Sequence, residues 1–195
     1  MFIDIMILYL IVSFLVGGIP FGFIIGKTIG KIVIRTEGSG NIGATNVARV
    51  LGFKYAVLTF ILDGLKSFLP VFIGKKIFGI DFAMCIMFCT VIGHMFSVWL
   101  KCKGGKGISS IILGLLALDY RLFLIMGASW LLIFKITRIS AVAALLSITI
   151  TIIFSYFLLN KFCFFVFLLI YFFIVFAHRN NLKRLRDGKE FGFKK

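Results

Sequence analysis

Residues 162–178 read FCFFVFLLIYFFIVFAH, a run without any Asp, Glu, Lys or Arg. As a helix, a run of this length and polarity crosses most of the hydrocarbon core of a bilayer. Comparable runs occur at about 2–26, 55–74, 82–100, 107–118, 121–136 and 140–159. With 61% hydrophobic residues and a mean hydropathy of +1.12, the chain is more apolar than a water-soluble fold of 195 residues can bury. The sequence therefore predicts an all-α, polytopic membrane bundle.

The expected number of transmembrane helices is about seven, with five as the fallback. The run at 107–118 is short for a crossing and could form a re-entrant pair with 121–136. No internal repeat, linker or low-complexity tract divides the sequence. We therefore expect a single integral-membrane domain over 1–195.

The charge distribution predicts the orientation. The chain has 22 Lys and Arg against 7 Asp and Glu, a formal net charge of +15. In the seven-span arrangement, one side of the membrane receives only Lys75, Lys76, Arg121 and Lys161, and Lys66 lies inside the second span. All other cations, including Lys194 and Lys195, fall on the opposite side. The positive-inside rule then places the N-terminus outside and the C-terminus in the cytoplasm, and it explains the basic excess without a nucleic-acid partner.

Three polar segments interrupt the apolar runs, and all three are predicted to face the cytoplasm. The first, residues 38–49, reads GSGNIGATNVAR. Its glycines let backbone N–H groups approach a ligand closely, and Arg49 can bind a phosphate as a bidentate fork. The alternative is a plain polar turn between spans. The candidate site residues of this segment are Gly38, Ser39, Gly40, Asn41, Thr45, Asn46 and Arg49.

The second segment, residues 101–110, reads KCKGGKGISS and precedes a predicted helix. Free amides at a helix N-terminus, together with the helix dipole, favour an anion. The spacing is not that of a P-loop, and a basic turn beside the membrane is the alternative. Its candidate site residues are Lys103, Gly104, Gly105, Lys106 and Gly107.

The third segment, residues 178–190, follows the last span directly. His178 and Asn181 are three residues apart and share a face of any helical continuation, while Glu190 closes the segment. The alternative is a cationic tail held against anionic lipid.

Inside the predicted spans, Asp63 and Lys66 are also three residues apart, and we expect a structural ion pair. His94 could pack or take part in catalysis. No pair of carboxylates has the spacing of metal ligands, so neither a metal nor another cofactor is predicted.

Three cationic loops on one membrane face predict a polyanionic ligand with phosphate groups, and the neighbouring apolar helices could accept an acyl chain. The residues by themselves lead to a membrane enzyme acting on phosphate-bearing substrates. A transporter for an organic anion and a structural membrane subunit are the competing classes. The inverted repeats and interrupted midplane helices usual in transporters are not evident in the sequence.

The motifs are Gly38-Ser39-Gly40-Asn41-x-Gly43-Ala44-Thr45-Asn46-x-x-Arg49, Gly93-His94-x-Phe96 followed by Lys103-Gly104-Gly105-Lys106-Gly107, and His178-Arg179-x-Asn181-x-x-Arg184-Leu185-x-x-Gly188-x-Glu190. In this order they resemble the bacterial acyl-phosphate:glycerol-3-phosphate acyltransferase family (PlsY). The similarity extends to Ile19-Pro20-Phe21-Gly22 and Leu62-Asp63-x-x-Lys66, so it covers essentially the whole chain. Ser97, Ser109-Ser110 and Leu182 depart from the family pattern without removing a charged or carboxamide group.

The resemblance implies transfer of a fatty acyl group from acyl phosphate to the 1-hydroxyl of sn-glycerol 3-phosphate, giving lysophosphatidic acid and phosphate, at the cytoplasmic face of the bacterial inner membrane. No cofactor is implied, and the oligomeric state is open. Our hypothesis is that Arg49 and Lys106, with the loop amides, bind the two phosphates, while Ser39 and Asn181 position the hydroxyl or polarise the carbonyl. The proton acceptor is His178 or a phosphate oxygen of the substrate. Glu190 orients neighbouring cations.

Overall fold

A computed structural model gives the fold and describes residues 1–193. This part of the chain is all-helical and contains no β-strand. Lys194 and Lys195, which contribute to the predicted charge bias, lie outside the described residues. The α-helices are α1 (Phe2–Gly17), α2 (Phe21–Thr28), α3 (Ala44–Leu51), α4 (Phe53–Phe78), α5 (Ile80–Met95), α6 (Ile108–Leu118), α7 (Tyr120–Thr137), α8 (Ser140–Leu158), α9 (Lys161–Ala177) and α10 (Arg179–Arg186).

Within residues 1–193, five segments are long and apolar enough to cross a membrane, and a sixth exists if α9 and α10, bent by 53°, form one span. The five are Phe2–Thr28, Phe53–Phe78, Ile80–Leu100, Tyr120–Thr137 and Ser140–Leu158. The predicted all-α, multi-pass bundle is thus confirmed. Helix α6 has only 11 residues, so it is about 16 Å long and reaches about halfway across the hydrocarbon core. A seventh crossing stays a prediction.

The first apolar run is broken at Pro20, which has no N–H to continue a helix. The break leaves the Ile19 carbonyl without a helical partner, and the Lys66 ammonium donates to this oxygen at 2.6 Å. In a bilayer an unpaired carbonyl is costly, so a break in a spanning segment requires such a donor. The buried lysine of α4 therefore stabilises the junction between α1 and α2.

The bundle is centred on α4 and α5, which pack against each other and against α1 and α6. Gly17 of α1 and Gly93 of α5 let the two backbones touch, because a Cβ at either position would overlap backbone atoms of the other helix. Met87, Leu115 and Phe167 belong to the fully buried core. Large apolar side chains cover the outside, as expected of a surface that faces lipid; examples are Leu124, Ile153 and Phe172.

The predicted intramembrane ion pair is confirmed. Lys66 Nζ lies 2.8 Å from Asp63 Oδ1, and the two side chains are 2% and 1% exposed. Both residues lie on one face of α4, one helical turn apart. The pair is inside the bundle and away from lipid, where each charge would be costly to leave without a partner.

Candidate active site

The three polar segments meet at one end of the bundle and enclose a cavity of about 300 Å³. This volume is at the lower end of the range for small-molecule sites. The lining residues from the polar segments are Ser39, Gly40, Asn41, Cys102, Lys103, Gly104, Gly105, Lys106, Arg179, Asn180, Asn181 and Arg184, and helix ends contribute Met95, Phe96, Phe176 and Ala177. The expectation that the three segments share one face is met. The assignment of this face to the cytoplasm stays a prediction.

Asn46 organises the first segment from the start of α3. Its side-chain oxygen accepts from the Ser39 N–H at 2.8 Å, and its side-chain nitrogen donates to the carbonyls of Glu37 at 3.0 Å and Ile34 at 3.3 Å. The side chain is 1% exposed and does not line the cavity. Asn46 therefore fixes the loop that presents Ser39, rather than facing the space where a ligand would bind.

Glycines allow this loop to fold tightly against the bundle. Gly38 and Gly40 have φ angles of 58° and 72°, in the left-handed region that glycine adopts without strain. Gly22 in α2 lies directly under the loop, since a Cβ there would overlap the Ile42 carbonyl. The Thr45 hydroxyl is hydrogen-bonded to the Ser140 hydroxyl at 2.9 Å. The first segment is thus fixed on both α2 and α8.

The glycine loop, residues 103–107, folds back on the end of α5. The N–H groups of Gly104 and Gly105 donate to the carbonyls of Met95 at 2.9 Å and His94 at 3.0 Å. These two amides are therefore occupied within the protein, contrary to the expectation that they are free to bind an anion. Gly107, the residue directly before α6, has a φ of 83°. The loop contributes its shape and the Lys106 ammonium to the cavity.

His178 lies at the bend between α9 and α10 and is 2% exposed. Its Nδ1 is 2.8 Å from the Ile174 carbonyl, an oxygen that can only accept, so Nδ1 carries the proton. The Nε2 atom then has the free lone pair. His178 is absent from the cavity lining, but its neighbours Ala177 and Arg179 both line it. The chain on both sides of His178 therefore borders the cavity, while the imidazole itself is buried and does not line it.

A chain of polar contacts joins the second and third segments. The Lys106 ammonium donates to the Asn181 side-chain oxygen. The Asn181 amide donates to Glu190 Oε1 at 2.7 Å, and Arg184 Nε donates to Glu190 Oε2 at 2.9 Å. Gly188, with a φ of 66°, turns the chain after α10 so that Glu190 returns to this position. The Glu190 carboxylate is 3% exposed and has both oxygens occupied.

Arg49 lies outside this cavity, under the returning C-terminal segment. Its Nη2 donates to the Phe191 carbonyl at 3.0 Å, and its guanidinium lies 4.9 Å from the centre of the Phe193 ring. Its Nε is buried and has no hydrogen-bond partner among residues 1–193. An unpartnered cationic donor at this depth is costly and favours an anionic acceptor.

The charged groups around Glu190 shift the pKa of Lys106. The pKa of Lys106 is lowered to about 8, chiefly because burial disfavours the charged ammonium. Glu190 opposes this shift, whereas Arg184 and Arg49 add to it by repulsion. A single carboxylate thus faces three cations, and the excess positive charge makes the cavity suited to an anion.

The cavity includes about half of the predicted site residues. Those that line it are Ser39, Gly40, Asn41, Lys103, Gly104, Gly105, Lys106 and Asn181, whereas Gly38, Thr45, Asn46, Arg49, Gly107, His178 and Glu190 do not. Arg179 and Arg184 line the cavity but were not selected from the sequence. For Arg184 the available signal would have been its position three residues after Asn181, which puts both on one face of α10. Residues 1–193 hold no group of three or more His, Cys, Asp or Glu placed to bind a metal.

Residues 7–188 match the family model described as glycerol-3-phosphate acyltransferase. The chain belongs to the glycerol-3-phosphate acyltransferase family. The glycerol-3-phosphate acyltransferase of Wolbachia sp. subsp. Brugia malayi (strain TRS) is 41% identical over 182 residues, covering 92% of this chain and 94% of that protein. The corresponding protein of Rhodopseudomonas palustris (strain BisB5) is 38% identical over 188 residues, covering 96% of each.

Two crystal structures of PlsY, an integral membrane glycerol 3-phosphate acyltransferase, have the same fold. The glycerol 3-phosphate form superposes with a TM-score of 0.93 at 35% identity, covering 97% of this chain and 96% of that one. The lysophosphatidic acid form gives a TM-score of 0.90 at 36% identity, covering 97% and 95%. The family predicted from the three motifs is confirmed, and so is its multi-pass membrane fold.

Proposed function

We propose that this chain transfers a fatty acyl group from acyl phosphate to the 1-hydroxyl of sn-glycerol 3-phosphate, releasing lysophosphatidic acid and inorganic phosphate. The observation that supports this most is the cation cluster of Lys106, Arg184 and Arg49 around one carboxylate, at the end of an apolar bundle where the three polar segments meet. Both substrates carry a phosphate, and one also carries an acyl chain that needs an apolar environment. The names of the relatives support the same acceptor.

The chemistry requires little from a general acid. Acyl phosphate is a mixed anhydride, so attack of the glycerol hydroxyl on its carbonyl breaks the C–O bond and phosphate leaves as a stable anion. Fixed positive charge near the leaving phosphate and orientation of the hydroxyl then supply most of the rate enhancement. Lys106 and Arg49 bind the phosphates in this scheme. Ser39, which lines the cavity, positions the hydroxyl or polarises the carbonyl.

Asn181 acts through its neighbours in this proposal. Both of its polar atoms are already engaged, one with Lys106 and the other with Glu190. It therefore sets the position of the Lys106 ammonium and links it to the only carboxylate of the cluster. The proton of the attacking hydroxyl passes either to Nε2 of His178 or to a phosphate oxygen of the substrate.

The proposed donor is acyl phosphate rather than acyl-CoA. The His-x-x-x-x-Asp motif of CoA-dependent acyltransferases is absent, because Trp99 and Lys183 stand five residues after His94 and His178. We place the protein in the bacterial inner membrane as a single domain, with the cavity on the cytoplasmic side. The cation bias of the loops supports this orientation.

The decisive experiment is an assay of the purified protein in detergent with long-chain acyl phosphate and glycerol 3-phosphate, following phosphate release and lysophosphatidic acid. Acyl-CoA is tested as an alternative donor, with Arg49→Ala as the test variant and Arg186→Ala, an exposed arginine outside the cavity, as its matched control. We expect lysophosphatidic acid to form with acyl phosphate as donor but not with acyl-CoA. This activity should be lost in Arg49→Ala and retained in Arg186→Ala. Folded protein that yields no product from either donor, but moves an organic anion in proteoliposomes, would favour a transporter.

The lowered pKa of Lys106 predicts a pH dependence. Only the protonated Lys106 ammonium carries the positive charge that binds phosphate, and it loses this charge as the pH increases through about 8. The KM for the substrate whose phosphate Lys106 binds should therefore rise over the same pH range. The substrate phosphate is already fully ionised in this range. Glu190→Gln should move this rise to lower pH, because Glu190 raises the pKa of Lys106. Arg184→Gln should move it to higher pH, and identical profiles in all three proteins would contradict the assignment.

A further inference from the structure

A buried polar cluster lies beneath the cavity and has no part in the chemistry described above. It consists of Asp63 and Lys66 of α4 and His94 of α5, at 0%, 4% and 3% exposure. His94 Nδ1 lies 3.8 Å from Asp63 Oδ1. Asp63 Oδ2 and His94 Nδ1 are both buried without a hydrogen-bond partner among residues 1–193. A movement of roughly 0.6 Å would bring Nδ1 into hydrogen-bond range of this carboxylate.

His94 is also the support on which the glycine loop lies. Its carbonyl accepts the Gly105 N–H at 3.0 Å. Its ring lies directly against the same residue, because a Cβ on Gly105 would overlap Nε2. A Cβ on Gly104 would instead overlap the carbonyl oxygen of His94. Gly105 therefore packs against the imidazole of His94, and Gly104 packs against the backbone carbonyl of His94.

The other end of the loop is fixed to the same cluster. Ser110, in the first turn of α6, donates its hydroxyl to the Asp63 carbonyl at 2.9 Å. The residues on both sides of Lys106 are thus held by α4 and α5 at the level of the ion pair. A shift of the imidazole or of Asp63 moves the loop, and with it the Lys106 ammonium.

We propose that His94, oriented by the buried Asp63–Lys66 pair, is a positioning residue that sets the height of the glycine loop and so places Lys106 for phosphate binding. This inference rests on the proposed function, since its readout is the binding of a phosphate substrate. In this proposal His94 acts through Gly105, against which its Nε2 lies, and does not itself contact the substrate. The costly intramembrane charges thereby acquire a role in ligand binding, in addition to stabilising the α1–α2 junction.

The test is a double-mutant cycle on the steady-state KM for glycerol 3-phosphate. His94→Ala should raise KM about tenfold and change kcat by less than about threefold. Loss of folded protein alone would lower the apparent kcat and leave KM unchanged. Gly105→Ala should also raise KM, because its Cβ pushes against the ring. In the double variant His94→Ala/Gly105→Ala the imidazole that the new Cβ would overlap is absent, so KM should be no higher than in Gly105→Ala alone.

Gly104→Ala is the matched control, because its new methyl group meets backbone that His94→Ala leaves in place. Its KM effect should multiply with that of His94→Ala. If His94→Ala does not yield monodisperse protein, it is replaced by His94→Gln. The flexible amide of the glutamine can move away from a Cβ at position 105. Independent effects of His94 and Gly105 in an active protein would overturn the inference alone. A wild-type protein inactive in the same assay would overturn the proposed function.

Discussion

Lys106→Ala is expected to raise the KM for one of the two phosphate substrates by about 100-fold, with a far smaller change in kcat, when the other substrate is saturating. Lys106 is the cation that both lines the cavity and contacts Asn181. Its ammonium is largely removed from water, so its attraction to a phosphate is screened much less than that of a surface lysine. Binding in the ground state and in the transition state then weakens by similar amounts.

The controls for this prediction come from the same polar segment, residues 101–110. Lys101→Gln removes an exposed lysine that does not line the cavity, and its kinetic constants should match those of the wild type. Lys106→Arg keeps the charge but brings a larger, planar donor, so it should recover only part of the loss. A Lys106→Ala enzyme whose KM is normal for both substrates, and whose kcat has fallen, would assign the residue to the chemical step instead.

His178→Ala is expected to lower kcat by about 100-fold or more, within the range usual for loss of a general base, and to change either KM by less than about threefold. The residues on both sides of His178 line the cavity, and the proton of its imidazole is on Nδ1, so Nε2 can accept a proton. The measurement is the pair of kinetic constants for each substrate. Equal effects on kcat and KM in both His178→Ala and Lys106→Ala would contradict the division of roles.

His178→Asn separates the imidazole's two nitrogens. Its side-chain amide can still donate to the Ile174 carbonyl, as Nδ1 does, but it has nothing at the position of Nε2. A kcat as low as that of His178→Ala would identify Nε2 as the proton acceptor. A kcat close to that of the wild type would show that His178 supports the bend between α9 and α10, and that a substrate phosphate accepts the proton.

The sequence predicted those features that depend on composition and on local spacing. Apolar runs near the length of a membrane crossing identify spanning helices, because the bilayer core leaves backbone polar groups no other partner. The pair of Asp63 and Lys66 was predictable for a similar reason, since residues three apart share a helix face and isolated charges inside a membrane are costly. The three motifs identified the family.

Local spacing could not determine which polar groups remain available to a ligand. Gly104 and Gly105 have the composition of an anion-binding loop, yet their N–H groups are used by α5. Asn46 has the polarity of a ligand-binding residue, yet it holds its own loop together. Each outcome depends on a partner that reaches the motif through the fold. Only a folded backbone shows whether a donor is free.

The position of Glu190 shows the same division most clearly. The sequence identified it as a residue that orients cations, and its carboxylate does contact Arg184 and Asn181. The same carboxylate also raises the pKa of Lys106. This effect could not be predicted from the sequence, because it depends on the turn at Gly188 and on the packing of α10 beside the glycine loop.

The sequence by itself determined the membrane fold and the excess of positive charge in its loops, because both depend on composition along the chain. The tertiary structure decided which of these charges meet, because electrostatic coupling depends on distances between segments far apart in sequence.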